Sequence, residues 1–121
     1  MNGLMMNMQL SIASIVEHAE RINGDVEIVS VMGDKPRHRY TYREAFARTR
    51  KLSDSMALWG LEQGDRIATL AWNDYRHFEI YYAAACSGYV CHTINPRLFP
   101  EQLAYIINHA EDRYVCIDPD F

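Results

Sequence analysis

Apolar residues recur at three- and four-residue spacing from Ser11 to Ile22, where Ile12, Ile15, Val16, Ala19 and Ile22 share one face. That period predicts an amphipathic helix, and Asn23-Gly24 predicts its end. The pattern then changes. Glu27 to Met32 and His38 to Thr41 read as two short strands around the turn Gly33-Asp34-Lys35-Pro36, which makes a hairpin. Thr41-Tyr42-Arg43-Glu44 has the form of a capping box, with a hydroxyl and a carboxylate placed to satisfy each other's backbone N–H groups. The helix it opens should bury Ala45, Phe46, Thr49, Leu52, Met56 and Trp59, leaving Arg43, Arg48, Lys51 and Asp54 on the wet side.

Gly60-Leu61-Glu62-Gln63-Gly64-Asp65 then turns the chain into Ile67 to Trp72, a nearly unbroken apolar run of the kind found in a strand covered on both faces. Gly60 suits the left-handed position past a helix end. Asn73-Asp74 caps the next helix, Tyr75 to Ser87, whose second half is apolar all round and so predicts cover on most sides. Tyr89 to Ile94 is a strand, Asn95-Pro96 a loop, and Pro100 the first residue of a helix striped by Leu103, Ile106, Ile107 and Ala110. Arg113 to Ile117 is the last strand. Strands separated by helices imply parallel pairing through right-handed crossovers. The fold class predicted is α/β: three layers, a mainly parallel sheet with flanking helices, preceded by a helix and a β-hairpin. Residues 1–10 are expected to be a flexible leader and residues 11–121 one domain. A sheet ending on its last strand should leave a bare edge, which predicts association, as a homodimer or with further chain.

Composition narrows the function. The chain has 121 residues, 49 % of them apolar, and a formal charge of -4. That is enough for one packed core, and it argues against a nucleic-acid partner, which would call for a basic patch. The densest basic stretch, Lys35 to Arg39, falls at the hairpin tip. No segment approaches the run of about 20 apolar residues that crosses a bilayer, and the first residues lack the basic and apolar regions of a secretory signal. Cys86, Cys91 and Cys116 are widely spaced with no CxxC among them, so buried, reduced thiols of a cytoplasmic protein are expected.

Most chemistries find no motif. Neither GxxxxGK[ST] nor GxGxxG occurs, there is no GxSxG, and the five histidines lack HxxxH spacing, so no metal or cofactor site is read from these residues. Glu111-Asp112 and Asp118/Asp120 read as helix-end and turn residues. The stripe Trp72, Tyr75, Phe78, Tyr81, Tyr82 reads first as packing and second as an apolar ligand wall. One location has a physical case. Ligands of open parallel sheets gather beyond the carboxyl ends of the strands, and there Asn73, His77, Asn95 and Arg97 could converge. The plainer alternative makes Asn73 a helix cap and Asn95-Pro96 a turn.

Five segments, in order, resemble the N-terminal part of the AMP-forming acyl-CoA synthetases, the adenylate-forming superfamily. They are Tyr40-Thr41-Tyr42-Arg43-Glu44-Ala45; Gly60 to Ala68; Leu70-Ala71-Trp72-Asn73 with the aromatic helix after it; His92-Thr93-Ile94-Asn95-Pro96-Arg97-Leu98; and Glu101 to Ala110. The phrase from Asn95 to Ala110 is most similar to the medium- to long-chain fatty-acyl branch. The resemblance implies an incomplete N-terminal subdomain of that fold. For the whole family it implies attack of a fatty carboxylate on ATP with Mg²⁺, followed by transfer of the acyl group to CoA. The family's phosphate loop, adenine motif, ribose-binding Asp, hinge and catalytic Lys belong to later segments, so no catalytic residue carries over. These residues alone are expected neither to hold ATP well nor to turn it over. Two other readings stand beside this one: a non-catalytic dimerisation module of the same fold, and a free-standing flavodoxin-like binder of a small nucleotide.

Overall fold

The computed structural model describes residues 3–33 and 35–121. Asp34 of the expected hairpin turn, and Met1 and Asn2 of the expected leader, lie outside the described residues. The elements run α1 (Ile12–Asn23), β1 (Glu27–Ser30), β2 (His38–Thr41), α2 (Tyr42–Met56), β3 (Arg66–Leu70), α3 (Tyr75–Cys86), β4 (Val90–Thr93), α4 (Pro100–Ala110) and β5 (Tyr114–Ile117). β1 and β2 form the antiparallel hairpin. β3, β4 and β5 form a parallel sheet in the order β4-β3-β5.

Local chemistry explains most of these boundaries. The Ser11 hydroxyl caps α1 by accepting from the Ser14 N–H. At α2 the capping box is complete: Thr41 Oγ1 accepts from the Glu44 N–H, and Glu44 Oε2 accepts from the Thr41 N–H at 2.8 Å. Pro100 sits in the first turn of α4. Gly24 is needed for closeness rather than for backbone freedom. Its φ is an ordinary −55°, but a Cβ there would lie 2.5 Å from the Glu20 carbonyl oxygen.

Several expectations are corrected. β3 stops at Leu70, two residues before Trp72, because the chain turns there to start α3, and Trp72 is 43 % exposed. β1 likewise ends at Ser30. α2 ends at Met56, and Gly60 lies beyond a further turn, where its φ of 71° reverses the chain. The cap of α3 is Asp74 and not Asn73: Asp74 Oδ1 accepts from the N–H groups of Arg76 (2.8 Å) and His77 (3.2 Å). The second half of α3 is not covered all round, since Tyr81 and Cys86 face solvent.

The core sits under α3. Met56, Ile67, Ala83 and Ala84 are fully buried, with Leu52, Trp59, Ile80 and Cys91 packed around them. α2 packs along α3, and α1 leans on both. Small residues at 83 and 84 let α3 approach the sheet closely. The strand register places Ile67 beside Cys91 and Tyr114 on this face, and Ala68 beside His92 and Val115 on the other. The crossovers run in opposite directions across β3, so right-handed connections put α3 and α4 on opposite faces. On the α4 face, Asp112 is buried and holds His92 Nδ1 at 2.8 Å. The sheet therefore has three layers, as the pattern predicts, and its two outer strands are open. Val90 on β4 is 48 % exposed and Ile117 on β5 is 57 % exposed.

Candidate functional site

β3, β4 and β5 all point their carboxyl ends at one rim, because parallel strands share a direction. At that rim the chain turns sharply after each strand, through Asn73-Asp74, Asn95-Pro96 and Asp118-Pro119. Each turn is built by a carboxylate or amide that takes backbone N–H groups. Asp74 caps α3, Asn95 Oδ1 accepts from the Arg97 N–H at 3.0 Å, and Asp118 Oδ1 accepts from the Asp120 N–H at 3.2 Å.

A groove of about 510 Å³ opens there. All four residues singled out from the sequence, Asn73, His77, Asn95 and Arg97, line it, together with Trp72 and Thr93. His77 stands one turn into α3, and its Nε2 lies 2.9 Å from Thr69 Oγ1 of the central strand, a contact that fixes the ring. Asn95 spends its side-chain oxygen on the loop, which leaves its amide N–H₂ for the groove. Arg97 is exposed and has no carboxylate partner among the described residues.

A second groove of about 490 Å³ lies beside the first. It runs between β1 and the start of α3, and it shares Asn73, His77 and Thr93 with the rim. Ile28, Val29, Phe78, Tyr81 and Tyr82 make it apolar. Part of the aromatic stripe therefore does pack. Phe78 and Tyr82 meet Phe46 at ring distances of 6.0 and 5.8 Å, while Tyr81 and Trp72 remain open to solvent.

The sequence reading missed what holds this rim together. Arg76 reaches two buried carboxylates, donating from Nε to Asp74 Oδ2 at 2.9 Å and from Nη2 to Asp118 Oδ2 at 2.7 Å. It thereby ties the start of α3 to the loop after β5. Burial by itself raises the Asp74 carboxyl, but the bonds from Arg76 and from the two backbone N–H groups outweigh it. The carboxyl is held below its ordinary range. A second ion pair was also unforeseen. Arg48, assigned to the wet side of α2, donates from Nε to Oε1 of the buried Glu79 at 2.7 Å and from Nη2 to Oε2 at 3.2 Å. Arg76–Asp118 and Arg48–Glu79 join residues 42 and 31 positions apart, and no local signal announces them. Asp112 and Asp118 stand at a helix end and in a turn as the sequence reads, but Asp112 also hydrogen-bonds His92 and Asp118 also pairs with Arg76.

The three cysteines are free. Burial pushes the Cys91 thiol up to about 11 and raises Cys116 as well, disfavouring the thiolate at both. Among the described residues, no group of three His, Cys, Asp or Glu could hold a metal ion. The arrangement can bind and orient a ligand, with amide and guanidinium donors at one end and an apolar wall at the other.

Residues 16–120 match the family described as AMP-binding enzyme. Over all 121 residues the chain is 53 % identical to a 3-methylmercaptopropionyl-CoA ligase of Ruegeria lacuscaerulensis and 51 % identical to a medium-chain-fatty-acid–CoA ligase of Ectopseudomonas oleovorans. Over 116 residues it is 42 % identical to a long-chain-fatty-acid–CoA ligase of Thermus thermophilus. It covers 100 %, 100 % and 96 % of itself in these matches, and 22 %, 22 % and 21 % of the relatives. The chain thus spans about a fifth of the length of the curated relatives it matches. Among solved structures, the fold is similar to the N-terminal domain of FACL13 from Mycobacterium tuberculosis, with a TM-score of 0.78 at 22 % identity. That match covers 90 % of this chain and 27 % of the other.

Proposed function

The chain belongs to the AMP-binding enzyme family, and from that premise we propose that it is the N-terminal part of a ligase that joins medium- to long-chain fatty acids to CoA using ATP. The carrying observation is identity of 51 % and 42 %, across essentially the whole chain, to relatives named for those activities. In this reaction a carboxylate oxygen attacks the α-phosphorus of ATP and pyrophosphate leaves. The CoA sulfur then attacks the acyl carbon and AMP leaves. The role assigned here to Asn73, His77, Asn95 and Arg97 is to line a ligand rim, and none of them breaks a bond. ATP and CoA are substrates of the whole enzyme. Mg²⁺ likewise belongs to the whole enzyme, and among the described residues no group of three His, Cys, Asp or Glu is placed to hold it. The family match favours this reading over a free-standing flavodoxin-like nucleotide binder.

The test is ATP–pyrophosphate exchange with octanoate, dodecanoate and 3-methylmercaptopropionate. It is run on the 121-residue chain and on the complete reading frame that contains it. The reading frame is expected to exchange with the fatty acids and to form thioesters, and the 121 residues alone to stay at background. A reading frame that exchanges with no acid overturns the ligase reading. Exchange by the 121 residues alone overturns the placement of the nucleotide chemistry outside them.

Association as a homodimer is a second reading, supported by the exposed Val90 and Ile117 on the two open strands of the sheet. Sedimentation at micromolar concentration checks it, and a strict monomer overturns it. The unpaired thiols support a cytoplasmic location. Among the described residues, no helix is long and apolar enough to cross a membrane.

A further inference from the structure

His77 lines both grooves, yet its ring is bonded into the sheet: Nε2 lies 2.9 Å from Oγ1 of Thr69. Thr69 is fully buried on the central strand β3, so its hydroxyl must bond within the protein. A buried hydroxyl has one hydrogen to place, and it costs free energy when that hydrogen finds no acceptor. The Cys91 thiol stands beside Thr69, but burial disfavours its thiolate, and a thiol sulfur is a weak acceptor. Among the described residues that leaves His77 Nε2 as the strong acceptor for the Thr69 hydroxyl. An imidazole nitrogen that accepts carries no hydrogen, and in the neutral ring the hydrogen is then on Nδ1. Nδ1 is bonded to no described residue and is not sealed from solvent. The ring borders both grooves, so Nδ1 opens on them.

From this contact we infer that Thr69 is a positioning residue: it holds His77 as the Nδ1–H tautomer and so gives the rim a neutral N–H donor anchored on α3. The inference rests on the reading of the rim as a ligand site and deepens it by naming the kind of group a ligand offers there. An N–H donor selects an oxygen acceptor, whether carbonyl, phosphoryl or hydroxyl. It turns away an ammonium group, which has donors only. In water the neutral histidine ring favours hydrogen on Nε2, so the Thr69 hydroxyl reverses the ring's own preference. Thr69 acts only through His77, because it has no exposed surface of its own.

The experiment is proton–nitrogen correlation NMR of the imidazole rings in the 121-residue chain, at about pH 8, above the ordinary histidine value of about 6.5. The five histidines give separate ring patterns, and the one lost in His77→Asn belongs to His77. The parent is expected to show the Nδ1–H form of His77 in about ten-fold excess, which is what one net hydrogen bond supplies. Thr69→Ser keeps the hydroxyl and should keep the excess. Thr69→Val, of nearly equal size, should lose it and favour Nε2–H. Unchanged patterns from the other histidines show that each variant has folded. Nε2–H in the parent overturns the inference, as does an Nδ1–H excess that survives in Thr69→Val. The role at the rim is read in the complete reading frame by separating KM from kcat. Thr69→Val should raise the KM for a substrate about five-fold, the loss of one hydrogen bond, with kcat unchanged, and Thr69→Ser should match the parent. KM values unmoved by Thr69→Val overturn the role at the rim. A reading frame without exchange refutes the ligase reading alone, since the tautomer is read with no substrate present.

Discussion

Within twenty residues, β3 and α3 pass through two regions of opposite character. At the lower end, Ile67, Ala83 and Ala84 close against Met56 with no exposed surface and no polar group among them. At the upper end, Asp74, Arg76, His77 and Thr69 are joined by hydrogen bonds and ion pairs, and Asn73 and Trp72 are open to water. The apolar end is held by burial, which has no preferred direction and tolerates any filling of the right volume. The rim is held by directional bonds, and each one removed strands a partner. The same two elements therefore supply stability at one end and a placed set of polar groups at the other.

The largest change should come from the core. Ile67→Ala removes a fully buried side chain and leaves a cavity beneath Ala83 and Ala84. It should cost about 3 kcal/mol in urea unfolding, within the usual 2–5 for such truncations. An effect below about 1 kcal/mol would mean that the core collapses freely and that the contrast with the rim is overstated.

Next is Arg76→Ala, which strands two buried carboxylates. Fully buried pairs cost about 3–5 kcal/mol when broken, and partial exposure of Arg76 brings the expectation to about 2 kcal/mol. The pH dependence sharpens the contrast. The folded Asp74 carboxyl sits below its unfolded value of about 3.9. Its contribution is therefore full above that value and is lost as pH falls through the lower folded one. Arg76→Ala should flatten this acid limb, whereas Ile67→Ala should lower stability equally at all pH values. Equal acid limbs in the two variants would remove the distinction drawn here.

The smallest effect belongs to neither region. Thr41→Ala breaks the capping box of α2 at an exposed site and should cost about 1 kcal/mol, read as a small drop in the denaturation midpoint.

Features set by neighbours in the chain could be read without coordinates. The capping box at Thr41 and Glu44, Pro100 opening α4, the hairpin and the helix–strand alternation each follow from residues within a few positions of one another. The convergence of Asn73, His77, Asn95 and Arg97 was also legible, because parallel strands must bring their carboxyl ends to one rim. Details of the same segments were not. Asn73 and Asp74 are both good caps, and only the path of the chain leaving β3 decides that Asp74 turns inward. Trp72 looks like strand interior because nothing local says where the chain bends.

The order and type of the elements, the parallel sheet and the family were thus determined by the sequence itself, through hydrophobic period, capping chemistry and motif order. The ion pairs Arg76–Asp118 and Arg48–Glu79, the order β4-β3-β5 and the placing of an apolar groove beside the rim were decided only in the tertiary structure. The physical reason is range. Periods and caps act over one or two turns of chain, whereas charge pairing and groove formation depend on distances in space that separation along the chain does not specify.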